Sequence, residues 1–120
     1  MINQWNGSVI FLGTDDLQET HEFYSGLLEL VLFKDQGDCR IYEIPQGGKV
    51  GFCSGMQVVT GRVSPEITLL AEDVDLVHAH LKASGYENLP LPVVDAKYNI
   101  YHFEIKDPNG YTVVIQKFLD

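Results

Sequence analysis

The side chains best suited to chemistry in this sequence are an imidazole and two carboxylates. His102 and Glu104 lie two residues apart in a segment rich in aromatic and β-branched residues. On a strand, both side chains would therefore lie on the same face. An improvised site could combine them with Glu66, and such a set of groups could hold a metal ion or move a proton.

Other motifs for chemistry are weak. His78 and His80 are two residues apart on a predicted helix and cannot face the same ion, so we expect solvated helix histidines. The segment "HEFY" from His21 lacks the second histidine of a HExxH motif. No glycine cluster follows the phosphate-loop pattern, and no nucleophile is flanked by an identifiable base. The sequence thus leaves the catalytic residues, if the protein is an enzyme, unknown.

Composition predicts one soluble globular domain. The chain has 120 residues, of which 45% are hydrophobic and 21% charged, which is ordinary for globular proteins. A net charge of −9 excludes a nucleic-acid partner and would attract a cationic ligand. No apolar run approaches the roughly 20 residues that cross a bilayer, and the first residues do not resemble a signal peptide. We therefore expect no membrane partner and a cytoplasmic location.

The chain has two cysteines, Cys39 and Cys53. Two are too few for a disulfide scaffold, and they are not spaced as a CxxC pair. The sequence therefore predicts free, buried thiols.

The two halves of the chain repeat the same order of local signals. With an offset of 57 residues, Leu12 aligns with Leu69 and Asp16 with Asp73. In each half an apolar strand runs into an acidic turn that can cap an amphipathic helix, and three strand-like runs follow. One of those runs is expected near Leu91–Val94. The pattern predicts two β-α-β-β-β repeats, at about 7–56 and 65–118, within a single domain spanning residues 1–120.

The sequence resembles the vicinal oxygen chelate superfamily, which includes glyoxalases, extradiol dioxygenases and bleomycin resistance proteins. The resemblance is carried by "DLQETHEFYSGLLEL", "DVDLVHAHLKASGY" and, above all, "FEIKDPNGYTVVIQ". It implies an α+β fold in which the two βαβββ repeats form a cup-shaped mixed sheet, with the helices on the convex side. It also implies a site on the concave face, and a homodimer, since members commonly pair.

The resemblance implies where a metal ion would be bound. The four usual ligand positions align with Val9, Phe52, Glu66 and Val114, with an uncertainty of one residue at Phe52. Valine and phenylalanine donate no lone pair to a cation, and a metal needs at least three protein donors. We therefore expect no metal and no other cofactor, and the chain resembles the non-metal, bleomycin-resistance-like members most.

The resulting functional hypothesis is metal-independent binding of a cationic or aromatic small molecule. Two alternatives stay open: a metal-dependent lyase or dioxygenase with a displaced metal site, and an interaction module whose cup is filled by its own side chains. Strand alternation from the implied inward positions, together with the aromatic residues, predicts the ligand-binding set. That set is Phe11, Phe52, Glu66, Thr68, Tyr98, His102 and Val114.

Overall fold

Two units of similar length make up the chain, one ending at Val59 and the other spanning Thr60–Asp120. They are described from a computed structural model that covers residues 2–120. Among these residues, no helix is long and apolar enough to cross a membrane.

The first unit has the order strand, helix and three strands. Its elements are β1 (Val9–Gly13), α1 (Leu17–His21) with a π-helical continuation (Glu22–Leu27), β2 (Val31–Asp35), β3 (Cys39–Glu43) and β4 (Lys49–Cys53). The sheet order is β1-β4-β3-β2, with β1 parallel to β4 and the other pairs antiparallel. Helix α1 begins where expected, because the Asp16 carboxylate accepts a hydrogen bond from the backbone N–H of Glu19 at 2.9 Å.

The second unit repeats this order. Its elements are β5 (Glu66–Leu70), α2 (Val74–Ala83), β6 (Val93–Asp95), β7 (Ile100–Lys106) and β8 (Thr112–Phe118). The sheet order is β5-β8-β7-β6, and β5 is parallel to β8. Asp73 caps α2 by accepting from the N–H of Leu76 at 3.0 Å. The predicted mixed α+β fold, with two βαβββ halves and two four-stranded mixed sheets, is confirmed.

An aromatic cluster fills the space between the helix and the sheet of the first unit. Tyr24 packs against Phe52 and Tyr42, with ring centroids 4.6 and 6.1 Å apart, and all three rings are fully buried. The Tyr42 hydroxyl lies 2.9 Å from His21 Nδ1. Burial raises the pKa of Tyr42, although the nearby Arg40 guanidinium acts in the opposite direction. One face of this sheet therefore packs in the hydrophobic core of the first unit.

One face of the second sheet packs against α2 in the same way. His78 packs edge-on against Phe103 with the rings 5.3 Å apart, and the Tyr101 hydroxyl donates to Asp75 at 2.6 Å. This hydrogen bond raises the pKa of Tyr101. The expectation that His78 is only a solvated helix residue is wrong, because its ring contacts both Phe103 and the carbonyl of Pro90. The side of the sheet opposite α2 carries the remaining side chains.

The prediction of free thiols is also wrong. The antiparallel register of β3 and β4 places Cys39 directly opposite Cys53, with Cα atoms 4.1 Å apart, and the two form a disulfide. They are separated by 14 residues in sequence. Counting cysteines misses this pair, because the contact is made by strand pairing and leaves no signature in the spacing.

Candidate functional site

The side of the second sheet opposite α2 gathers most of the polar side chains of β5, β7 and β8; we call it the open face. Phe103 points to α2, so its neighbours His102 and Glu104 point the other way. The strand register then determines which residues of β5 and β8 lie beside them on this face. The open face comprises Glu66, Thr68, Leu70, His102, Glu104, Lys106, Thr112, Val114 and Gln116.

Four of the seven predicted ligand-binding residues share the open face: Glu66, Thr68, His102 and Val114. The register brings them into neighbouring rows, since Thr68 lies opposite Val114 and His102 lies opposite Gln116. Their binding role stays a prediction. Tyr101 and Phe103 contact α2, so His102 and Glu104 lie on the opposite face of β7.

Most polar groups of the open face are exposed and lightly paired, whereas Thr112 is buried. Lys106 Nζ donates to Thr112 Oγ1 at 2.6 Å and lies 3.6 Å from a Glu104 carboxylate oxygen. Thr68 Oγ1 donates to Glu66 at 3.4 Å. Glu66, Thr68 and Glu104 are all exposed. Because exposed ion pairs contribute little, both carboxylates stay free to interact with a cationic ligand.

A cavity of about 540 Å³ borders the open face at the edge of β7. One wall is formed by residues 102–106, which include His102 and Glu104 of the open face. The other wall comes from residues 86–93, with Pro90, Leu91 and Val93 as its apolar part. Sequence reasoning identified His102 but missed this second wall, because nothing in the sequence marks where a loop leaves a strand.

The 86–91 segment is held to the rest of the second unit by two tethers. At one end the Tyr86 hydroxyl donates to the Lys106 carbonyl at 2.9 Å and accepts from the Lys106 N–H at 3.0 Å. At the other end the Pro90 carbonyl accepts from His78 Nε2 at 2.9 Å. The two tethers fix residues 86–91 beside β7, although none of these residues pairs with β7 as a strand.

The predicted residues of the first unit separate onto two faces. Phe11 lies opposite Gly51, is 40% exposed, and lies on the side away from the aromatic cluster. Its ring lies so close that a Cβ added at Gly51 would be 2.7 Å from it. Phe52 points the other way, into the aromatic cluster. The inward orientation expected for Phe52 is therefore corrected.

The residue of the first unit that corresponds to Val114 lies one residue before the predicted position, Phe52. Phe11 pairs with Gly51 in the first unit as Thr68 pairs with Val114 in the second. The counterpart of Val114 is thus Gly51 and not Phe52. A length difference between the repeats, which simple counting does not resolve, accounts for the shift.

Tyr98 does not join the open face or the cavity wall. It lies in the turn between β6 and β7, is 63% exposed, and its ring has Lys97 Nζ 5.1 Å from its centroid. The structure thus brings Tyr98 to neither group of predicted residues.

Comparison with known proteins agrees with this architecture. Residues 8–115 match the profile of the Glyoxalase/Bleomycin resistance protein/Dioxygenase superfamily. The chain belongs to this superfamily. The resemblance noted from the sequence is thereby confirmed. No curated protein matches the chain.

Solved structures share the fold at low sequence identity. The glyoxalase/bleomycin resistance protein/dioxygenase from Alicyclobacillus acidocaldarius is 16% identical, with 100% of this chain and 96% of that chain covered and a TM-score of 0.74. TioX from Micromonospora sp. ML1 is 16% identical over 96% of this chain and 100% of its own, with a TM-score of 0.75. An integron cassette protein from the mobile metagenome of Halifax Harbour Sewage Outfall is 14% identical, over 94% and 98%, with a TM-score of 0.77. At these identities the likeness concerns the fold alone.

The side chains at the superfamily's usual metal positions do not fit a metal ion. Val9, Gly51 and Val114 offer no side-chain donor, and only Glu66 does. Within residues 2–120, no three or more His, Cys, Asp and Glu side chains form a group that could hold a metal. Glu66, His102 and Glu104 share the open face without forming such a group. The side chains at these positions therefore do not provide the three donors that a metal ion needs.

Proposed function

We propose that this superfamily member binds a cationic or aromatic small molecule without a metal ion, at the open face and the cavity beside it. The observation that carries the proposal is the cavity of about 540 Å³ that borders His102 and Glu104. Its volume lies in the range typical of small-molecule sites, about 300–1,000 Å³.

The lining of the cavity supports this class of ligand. Pro90, Leu91 and Val93 supply apolar contact area. Glu87 and Glu104 add two carboxylates to the same lining. The overall charge of −9 favours the approach of a cation over long range. Apolar walls with a few polar groups are what orient a bound small molecule.

Calorimetric titration with metal-free bleomycin and with a simpler cationic aromatic, tryptamine, tests the proposal. We expect saturable binding of at least one compound, unchanged by EDTA. Glu104→Gln should weaken it about tenfold, because removing one charge contact costs about 1.4 kcal/mol. The matched control is Glu43→Gln, since Glu43 is also an exposed strand residue but lies in the first unit.

Two outcomes would contradict binding at this site. One is the absence of saturable heat for both compounds. The other is an equal loss of affinity in Glu104→Gln and Glu43→Gln, which would indicate a general charge effect instead of a site. Loss of binding in EDTA would contradict its metal independence.

We also propose that the chain forms a homodimer through an edge of its sheets. Strand β1 has an apolar sequence, VIFLG, and pairs only with β4, so its other edge is free of strand partners among residues 2–120. Ile10 on this strand is 64% exposed. Unpaired apolar edge strands tend to associate unless a charge or a bulge blocks them. A second copy of the chain is the partner that this edge suits.

Sedimentation velocity tests the dimer. The parent protein should sediment as a dimer at tens of micromolar, and Ile10→Lys should shift it to the monomer, because a lysine on the edge opposes pairing. Val63→Lys is the control, since Val63 is exposed and lies outside the strands. A monomeric parent, or equal dissociation by both variants, would refute the assignment.

Two further expectations remain proposals. We propose that residues 1–120 form one domain built from repeats at about 7–56 and 65–118. The cytoplasmic location stays a prediction, and the disulfide between Cys39 and Cys53 runs against it, because reducing cytosol keeps most cysteines as thiols.

A further inference from the structure

Strand β7 is longer than its neighbour β6. The pairing between them runs from Asp95 opposite Ile100 to Val93 opposite His102. Strand β7 continues to Lys106, so its second half lacks a neighbouring strand on this side within residues 2–120. This unpaired edge forms one wall of the cavity.

The backbone of Glu104 faces the cavity. Both backbone groups of Lys106 bond to the Tyr86 hydroxyl, which lies on the side away from β8. Backbone groups of alternate residues along a strand point to the same edge. The N–H and C=O of Glu104 therefore point to that same side, where the register gives them no strand partner. They form a donor and acceptor pair at the wall of an apolar cavity.

The described residues of the chain do not pair with this edge of β7. Continuing the register from Val93 and His102 would place Leu91 opposite Glu104. Leu91 lies between Pro90 and Pro92, whose rings fix φ at about −65°, away from the value of about −140° in a regular antiparallel strand. Leu91 is 76% exposed, and the Pro90 carbonyl bonds to His78 instead of to β7. The prolines thus end β6 early and leave the edge accessible.

We propose that the cavity binds an extended peptide that pairs with Glu104 as an added antiparallel strand. This proposal rests on the proposed binding function of the same site and specifies its ligand class. The peptide residue opposite Glu104 exchanges both backbone hydrogen bonds with it. The unpaired stretch matches a peptide of about three residues, roughly 10 Å long at about 3.3 Å per residue.

The side chains around the cavity specify the peptide further. The residue opposite Glu104 places its side chain beside the Glu104 carboxylate on the open face, so a basic residue is favoured there. The residues on either side of it point to the opposite face of the sheet, which carries the apolar side chains of Phe103 and Ile105. An apolar-basic-apolar peptide, acetyl-Val-Lys-Val-methylamide, fits this description.

An NMR titration of the full chain with this peptide tests the proposal. We expect saturable shifts of the Glu104 amide and slower hydrogen exchange at that amide. The same peptide carrying an N-methyl group on the lysine amide should bind at least tenfold more weakly, because it cannot donate to the Glu104 carbonyl. Equal binding of the two peptides, or no Glu104 shift at saturation, would overturn the proposal. A Glu104 shift that depends on protein concentration without peptide would overturn it too, since a second copy would then occupy the edge.

A double variant tests the role of the prolines. Pro90→Val/Pro92→Val should allow Leu91 to pair with Glu104, so that the Glu104 amide becomes protected without peptide and peptide affinity falls at least tenfold. Pro45→Val, in the turn between β3 and β4, is the control and should leave both measurements unchanged. Retained affinity in a double variant whose Glu104 amide is protected would place the peptide elsewhere and refute the inference.

The outcomes separate this inference from the proposed function. Saturable heat with bleomycin or tryptamine but no peptide effect at Glu104 would overturn only the peptide assignment. Specific peptide pairing at Glu104 without binding of either aromatic compound would support the peptide assignment and refute the cationic aromatic class.

Discussion

Replacing Gly13 with alanine should lower the free energy of unfolding by about 3 kcal/mol. Gly13 ends β1 and is buried, and an added Cβ would lie against the carbonyl oxygens of Met56 and Gln57. These are backbone atoms, so no side-chain rotation can relieve the overlap, and the 54–57 turn or the strand itself must shift. Urea unfolding followed by circular dichroism measures the effect.

Gly26→Ala is the matched control for this substitution. An added Cβ at Gly26 meets no atom within 4 Å, and Gly26 lies in the π-helical continuation of α1. Alanine is favoured over glycine by about 0.5–1 kcal/mol within helices, so this variant should be as stable as the parent or slightly more stable. A Gly13→Ala protein within about 0.5 kcal/mol of the parent would refute the close approach at Gly13.

Reducing the Cys39–Cys53 disulfide should lower the free energy of unfolding by about 3 kcal/mol. The bond closes a loop across a sequence separation of 14 residues, and loops of about 15 residues give stabilisation of this size by restricting the unfolded chain. The measurement is urea unfolding of the oxidised protein with and without a phosphine reductant. We expect a lower midpoint in the reduced sample.

A variant without the thiols separates this effect from any direct action of the reductant. Cys39→Ala/Cys53→Ala should unfold identically with and without reductant. Thiol titration of the unfolded, unreduced parent should detect no free thiol from these two cysteines. Two titratable thiols per chain, or an unchanged midpoint on reduction, would contradict the predicted stabilisation.

Local signals are what made the fold predictable from sequence. The acidic caps Asp16 and Asp73 and the apolar alternation of each strand act within a few residues, so the repeated βαβββ order follows directly. The strand expected near Leu91–Val94 begins only at Val93. Here the fixed φ angles of Pro90 and Pro92 oppose the strand that the apolar pattern otherwise favours.

The candidate site was predictable only in part, for the same reason. Strand alternation placed Glu66 with Thr68 and His102 with Glu104, because side chains along a strand alternate with a period of two. It could not say which face of the 99–106 strand His102 occupies, because that depends on the packing of Phe103 against α2. Phe52 was placed one residue out of phase, since its position depends on the relative lengths of the two repeats. The disulfide and the cavity depend on contacts between segments distant in sequence, and no local pattern reports them.

The two tethers of the 86–91 segment have a consequence for how this site can change. Tyr86 bonds to the backbone of Lys106, and the Pro90 carbonyl bonds to His78. Residues 87–89 between these two contacts have no strand pairing. Insertions or deletions there would resize the cavity while the β-sheet keeps its register, because lengthening a surface loop costs little free energy. A descendant of this chain could thus acquire a larger or smaller ligand by changing one loop, with its scaffold intact.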